Sequence, residues 1–444
     1  MMQDSGFGSP YSPNTDADRR KMLEAIGITS VDELFQDVPA QHRGPTLSIP
    51  DPTAELDLRR EIEAMAGENL TPGDYACFLG AGVYRHHVPA VVRQIASRGE
   101  YMTSYTPYQP EVAQGTLQAT YEFQTLVCQL TGMEVANAGM YEGASSLAEA
   151  ALMAARITRR ERIAVLDSVS PSYVEVLQTF AQGPGLILDS VSSGSGSLNE
   201  GTACLIVQQP NFFGYVEELV ELSEMAHSHG ALLVVYSDPL ALGMFKPPGD
   251  YDADIVVSEG QSLGVAPSYG GPYVGFFACK ERHLRQMPGR IVGKTVDTKG
   301  RPGYVLTLQT REQHIRRERA TSNICTSVAL VALMTTAYMA AMGKRGMRHI
   351  AELCYHKAHY ATSLIENVPG YSLPITGTFF REFVVECPLP PAEVNRQLLG
   401  RGIIGGLDVS PAMPNGMLLC VTEMNTAGEI EALAAALAEI GNGA

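Results

Sequence analysis

The most regular feature of the chain is a series of short apolar runs separated by amphipathic stretches. The runs "RIAVLD" (162–167), "LILD" (186–189), "TACLIVQQ" (202–209), "ALLVVYS" (231–237), "DIVVS" (254–258) and "VGFFACK" (274–280) are continuously rather than alternately apolar. Runs of this kind suit strands covered on both faces, which predicts a mostly parallel sheet between layers of helices. Upstream, "GTLQATYEFQTLVCQLTG" (115–132) brings Leu117, Tyr121, Val127 and Leu130 close to one helical face, so a helix packed on that sheet is expected. Further on, "SVALVALMTTAYMAAMGKRG" (327–346) is apolar nearly all round and predicts a buried helix. It leads to a small α+β domain built from strand "EFVVEC" (382–387), helix "PAEVNRQLLGRG" (391–402), strand "MLLCVTE" (417–423) and helix "AGEIEALAAALAEIG" (427–441).

The N-terminal region has a different texture. Residues 1–15 are rich in Ser, Pro and Gly and predict a mobile arm. In "DADRRKMLEAIGITSVDELFQDVP" (16–39) two short amphipathic helices are expected, the first closed by Gly27 and the second opened by Ser30 with Glu33 three residues later. "DLRREIEAMAGEN" (57–69) predicts another helix, ending at Gly67. The expected organisation is therefore an arm (1–15), a helical segment (16–70), a large α/β domain (71–330), and a bridging helix with the small domain (331–444). No repeat period interrupts it.

Composition narrows the function classes. A formal net charge of -16 opposes phosphate backbones, and no Lys/Arg run resembles a nucleic-acid footprint. No apolar stretch approaches the roughly 18 residues of a membrane helix, and the first residues lack a signal-peptide core, so a cytoplasmic location is expected. The eight cysteines include no Cys-x-x-Cys pair and read as reduced, packed thiols. Among the histidines, His86-His87, His227-x-His229 and His356-x-x-His359 have no Cys or carboxylate constellation beside them in the sequence, and no metal site is expected.

Two features carry chemistry. In "MYEGASSLAEAALMAAR" (140–156) the turn Gly143-Ala144-Ser145-Ser146 runs straight into a helix, and free amides at a helix start favour an anion such as a phosphate. Read alone, the turn is more simply a serine N-cap, and its context decides. Asp238 stands at the carboxyl end of "ALLVVYSDP", where ligands bind in open α/β sheets. A carboxylate there can hold the protonated ring nitrogen of pyridoxal phosphate, although it can also simply start the turn before Pro239. Together these features resemble the aspartate aminotransferase superfamily (fold type I), in which the cofactor-bonding lysine follows the ring-binding aspartate by a little over twenty residues. Here the residue 23 positions after Asp238 is Gln261, in "DIVVSEGQSLG". An amide forms no Schiff base. The seven lysines are at 21, 246, 280, 294, 299, 344 and 357. Lys246 and Lys280 do not fit the expected place, and Lys294 and Lys299 lie in a polar loop, "GKTVDTKGRPG", that would have to fold over the pocket.

Longer motifs sharpen the resemblance. "FLGAGVYRHHVPAVV", "YMTSYTPYQPEVAQGTLQATYEFQT", "EGQSLG", "SYGGPYVGFFA" and "REQHIRRERATSNICT" resemble the P-protein family of the glycine cleavage system, glycine dehydrogenase (decarboxylating), over nearly the whole chain after Asp16. They are similar to its N-terminal half, which forms a separate subunit 1, or alpha, where the enzyme is split. The resemblance implies a fold type I pyridoxal-phosphate transferase-like fold. It also implies a reaction in which glycine loses carbon dioxide and its aminomethyl group passes to the lipoyl arm of H-protein. The lysine and its pyridoxal phosphate would belong to a beta partner subunit in an alpha2beta2 assembly, with nothing covalently bound to this chain. Gly143, Ala144, Ser145, Asp238 and Gln261 would then mark a vestigial cofactor pocket. Tyr105, Tyr108 and Gln109 in "SYTPYQPE", with Arg319, Thr321, Ser322 and Asn323 in "RRERATSNICT", are candidates for the partner's active site or the subunit interface. Two other readings stay open. One is a purely structural scaffold that stabilises the partner or docks H-protein, and the other is an independent pyridoxal-phosphate lyase or transferase using an unexpected lysine.

Overall fold

A computed structural model describes residues 13–443 apart from 45, 47, 193, 195 and 196. The chain divides into two units, one up to Leu70 and one from Thr71 onward. Most of the expected arm, residues 1–12, lies outside the described residues. In the first unit a helix spans Asp16–Ile26, opened by a reciprocal Thr15–Asp18 capping box and closed by Gly27 at φ 85°. The segment after Ser30 is a 3-10 turn, Val31–Phe35, and not the amphipathic α-helix expected there. Glu33 turns back to the amides of Thr29 and Ser30, and Pro39 soon blocks any extension. A second α-helix covers Glu55–Ala66.

The second unit is built on a seven-stranded sheet: β1 (Val135–Ala136), β2 (Arg162–Leu166), β3 (Ile187–Val191), β4 (Thr202–Gln209), β5 (Leu232–Ser237), β6 (Ile255–Glu259) and β7 (Gly275–Cys279). Their spatial order is β1-β7-β6-β5-β4-β2-β3. The five strands from β6 to β3 are parallel, whereas β7 joins β6 in antiparallel register. Every residue of β4, β5, β6 and β7 is buried, which is why these runs read as unbroken apolar sequence. The edge strand β3 is half-exposed and carries polar residues.

The helix Gln114–Thr131 packs on this core through Phe123 and Val127, and Leu117 is buried as well. Its Gln124, also buried, exchanges both amide bonds with the backbone of Val292. That contact belongs to a hairpin, Ile291–Val296 with Pro302–Thr307, where a polar loop was expected. Gln114 does the same for Tyr304, so two glutamines of one helix hold the hairpin against the helix. Lys294 faces Tyr304 within the ladder. The apolar helix predicted to end near Gly346 runs instead from Ala329 to Ile365, with one non-helical residue at Gly343. Its second half supplies Ala358, Ala361 and Ile365 to a separate core. That core lies beneath the antiparallel strands Glu382–Glu386, Gly416–Cys420 and Leu407–Asp408 and the helix Ala427–Asn442. Phe78 is buried in the same core, because Ala76–Cys77 pairs in parallel with Ile403–Ile404.

Candidate active-site cleft

Adjacent parallel strands deliver their carboxyl ends to one edge of a sheet, so β5 and β6 carry Asp238 and Gln261 to the same place. Both line a narrow cleft, with Tyr84, Tyr173, Tyr236, Glu259, Arg381 and Glu382 among the other walls. Gln261 is only 1% exposed. Its amide oxygen accepts from Tyr84 N at 2.9 Å, and its nitrogen donates to Tyr84 O at 2.9 Å and Val265 O at 2.8 Å. The residue standing at the lysine position is thus a satisfied backbone clamp. No lysine lines the cleft among the described residues. Lys246 reaches Asp250 O, Lys280 pairs with Asp254, and Lys357 donates to the carbonyls of Glu423 and Asn425.

Asp238 is also engaged. One carboxylate oxygen accepts from Leu240 N at 2.9 Å, and the other is paired with the buried guanidinium of Arg381. Arg381 stacks 3.4 Å from the centre of the Tyr84 ring and meets His86 Nε2 at 2.6 Å. A guanidinium only donates, so Nε2 accepts, and the imidazole proton sits on Nδ1, 2.6 Å from Glu423 Oε2. Burial lowers the His86 pKa against the pull of Glu423. Burial would raise Glu423, but the hydrogen bonds from His86 and from the His87 amide outweigh it and hold the carboxyl at about 2. Cys354 Sγ lies 3.5 Å from the same oxygen. The fold therefore assembles His86, Cys354 and Glu423 within 4.8 Å, a constellation that histidine spacing in the sequence did not disclose. With Nδ1 carrying its proton toward Glu423, these groups form a hydrogen-bonded chain from Asp238 through Arg381 and His86 to Glu423.

The anion seat expected at Gly143, Ala144 and Ser145 is the start of the helix Gly143–Thr158. A Cβ at Gly143 would come within 2.9 Å of Glu259 Cβ and 3.0 Å of the Tyr236 ring, so only glycine lets the helix start this close to the sheet. Its amides are already bonded. Gly143 N donates to Glu259 Oε2 at 2.9 Å, Ala144 N to Glu142 Oε2 at 2.6 Å, and Ser145 N to Glu142 Oε1 at 2.9 Å. Burial pushes Glu259 up to about 7, with the neighbouring Glu142 charge adding to it and the amide bonds opposing. Pyridoxal phosphate requires a free anion seat, a carboxylate open to a ring cation, and an amine. The residues here meet none of these needs and do not fit that cofactor.

Of the expected site residues only Asp238 and Gln261 wall the cleft; Gly143, Ala144 and Ser145 lie behind Glu259, and none of the other candidates forms a wall. Tyr105 and Tyr108 are 70% and 74% exposed, and the Tyr105 hydroxyl lies 3.3 Å from Thr326 Oγ1. Gln109 O accepts from Val112 N and Ala113 N, which turns the chain into the helix that follows. Thr321 N donates to Arg311 O, and Ser322 Oγ donates to Glu149 Oε1 at 2.6 Å. Arg319 and Asn323 point outward. Sequence reasoning missed Glu142, Glu259, Arg381, Tyr84 and His86. Glu259 lies two residues before Gln261, and Arg381 and Glu382 open a buried strand. A charged residue at the mouth of an apolar run was the available signal.

A family model, the glycine cleavage system P-protein, matches residues 9–437. The chain belongs to that family. A probable glycine dehydrogenase (decarboxylating) subunit 1 from Desulforamulus reducens is 49% identical over 443 residues, covering 97% of this chain and 99% of its own length. A crystal structure of a glycine decarboxylase (P-protein) of the glycine cleavage system, in inhibitor-bound form, is 43% identical with a TM-score of 0.91, covering 97% of this chain and 100% of that one. The fold alone extends further: Lactobacillus brevis glutamate decarboxylase superimposes with a TM-score of 0.65 at 13% identity, over 91% of this chain and 96% of that one. This P-protein family chain thus has the fold type I architecture, with the smaller α+β portion at its C-terminal end. Among the described residues no helix is long and apolar enough to cross a membrane.

Proposed function

We infer that this chain is subunit 1 of a split glycine dehydrogenase (decarboxylating), a subunit that turns over only with a lysine-bearing partner. The observation that carries the reading is Gln261: in a chain matching subunit 1 relatives end to end, the lysine position holds an amide whose hydrogen bonds are all made within the protein. In the complex, pyridoxal phosphate on the partner would act as the electron sink for decarboxylating glycine, and the aminomethyl group would pass to the lipoyl arm of H-protein. This chain would contribute surface. Tyr105, Tyr108 and Arg319 are exposed side chains suited to an interface with the partner, and an alpha2beta2 assembly in the cytoplasm is the arrangement proposed.

The test is reconstitution. The chain alone, its partner alone and the mixture are assayed for release of labelled carbon dioxide from glycine with lipoylated H-protein. Activity only in the mixture is the expected result. Turnover by this chain alone would overturn the reading and favour an autonomous enzyme. Interface variants that assemble normally yet turn over slowly would separate a completing role from a purely structural one.

A further inference from the structure

We propose that the cleft of this chain is closed to pyridoxal phosphate by its own side chains, with the Glu142 and Glu259 carboxylates seated where a phosphate would bind and Arg381 standing in for a ring cation on Asp238. This goes beyond the missing lysine, and it concerns the chain's own geometry whichever partner carries the cofactor.

A helix start holds an anion through amides that the helix itself cannot satisfy. Here the three amides that would serve a phosphate are taken by two carboxylates arriving from different directions, Glu142 from the residue before the helix and Glu259 from the end of β6. An incoming phosphate would have to displace both side chains and would meet the Glu142 charge. Arg381, the one cation on the cleft wall among the described residues, is committed to Asp238 and His86. The three helix-start amides and the Asp238 carboxylate therefore each have an internal partner. Buried amides and a buried carboxylate left without partners would be costly, so a chain that has lost its cofactor gains by filling the seat with its own side chains. The Arg381 pairing reaches further, because it joins the end of β5 to the strand Glu382–Glu386 and, through His86, to Glu423. The cofactor's place is thus occupied by a tie between the large sheet and the small domain.

The experiment is equilibrium dialysis of the full chain against pyridoxal phosphate, with inorganic phosphate and unphosphorylated pyridoxal as competitors. Wild type is expected to take up no stoichiometric, phosphate-competable equivalent. The double variant Glu142→Ala/Glu259→Ala, shown folded by circular dichroism and a cooperative melt, is expected to gain such a site, with affinity raised about tenfold or more. One equivalent bound to wild type and displaced by phosphate overturns the proposal, as does a folded double variant with no gain. Should the double variant not fold, Glu142→Ala alone frees the amides of Ala144 and Ser145 while Glu259 stays in place. Inorganic phosphate, compared with chloride at equal ionic strength, should then raise the melting temperature of the variant but not of wild type. Equal responses of the two proteins would overturn the proposal.

Discussion

Gln261→Lys supplies the amine that the cleft lacks, and the structure predicts that it costs stability without restoring a covalent bond to cofactor. The amide now makes three hydrogen bonds to the backbone at 84 and 265 while almost fully shielded from water. Lysine has no acceptor, so the Tyr84 N–H would be left unpaired, at about 1–3 kcal/mol. Its ammonium would also enter a desolvated position, and each unit of pKa depression adds about 1.4 kcal/mol. Allowing about two units, the total is about 4–6 kcal/mol. Denaturant unfolding at neutral pH, with the m-value compared to show that the same cooperative unit melts, measures the loss. Borohydride reduction with pyridoxal phosphate and mass spectrometry then reports any adduct at position 261. A stability loss under about 1 kcal/mol would refute the clamp argument. A stoichiometric adduct at that position would refute the claim that the other cofactor seats are filled.

Arg381→Met leaves the Asp238 carboxylate and His86 Nε2 without their cation in a buried setting, and should cost about 3–5 kcal/mol by denaturation; Arg381→Lys should recover only part of it, because an ammonium cannot reproduce the fork. Glu259, raised from 4.5 to about 7 by burial, favours the protonated folded form. Its contribution to stability is present below about 4.5 and is lost as pH rises through about 7, about 3 kcal/mol in all, so Glu259→Gln should flatten the fall in unfolding free energy over that window. Glu423 works in the opposite direction, its contribution vanishing as pH drops from 4.5 through about 2, so the two are separable by range. Gly275→Ala would place a Cβ 2.0 Å from Ser146 Oγ and 2.4 Å from Glu142 O, and a melt should show at least the 1–3 kcal/mol usual for overpacking, about that much or more. Tyr105→Ala and Arg319→Ala lie on the surface and should change the stability of the isolated chain by no more than about 0.5 kcal/mol. If both also leave assembly and turnover of the reconstituted complex unchanged, neither residue belongs to the interface.

What the sequence determined by itself is local. Strands β4, β5 and β6 were legible because burial on both faces demands an unbroken apolar run, and the Asp16–Ile26 helix because its Gly27 stop depends on a few neighbouring residues. Asp238 and Gln261 were paired through the spacing that the fold type I resemblance implies, and the structure sets them at the ends of two neighbouring parallel strands. The family was legible in the long motifs. Only the tertiary structure decided how the cleft is used. Gln261 finds its partner 177 residues away at Tyr84, Arg381 pairs with Asp238 across 143, and His86 with Glu423 across 337. No periodicity encodes such pairings, because they depend on where two separately packed cores bring their charged strand ends together. The hairpin Ile291–Thr307 escaped for a related reason: its sequence is largely polar, and it is anchored by Gln114 and Gln124 of a helix far away in the chain. The amides of Gly143, Ala144 and Ser145 announced an anion in the sequence, and the fold supplied that anion from Glu142 and Glu259, since buried amides must be paired by whatever acceptor the chain can bring to them.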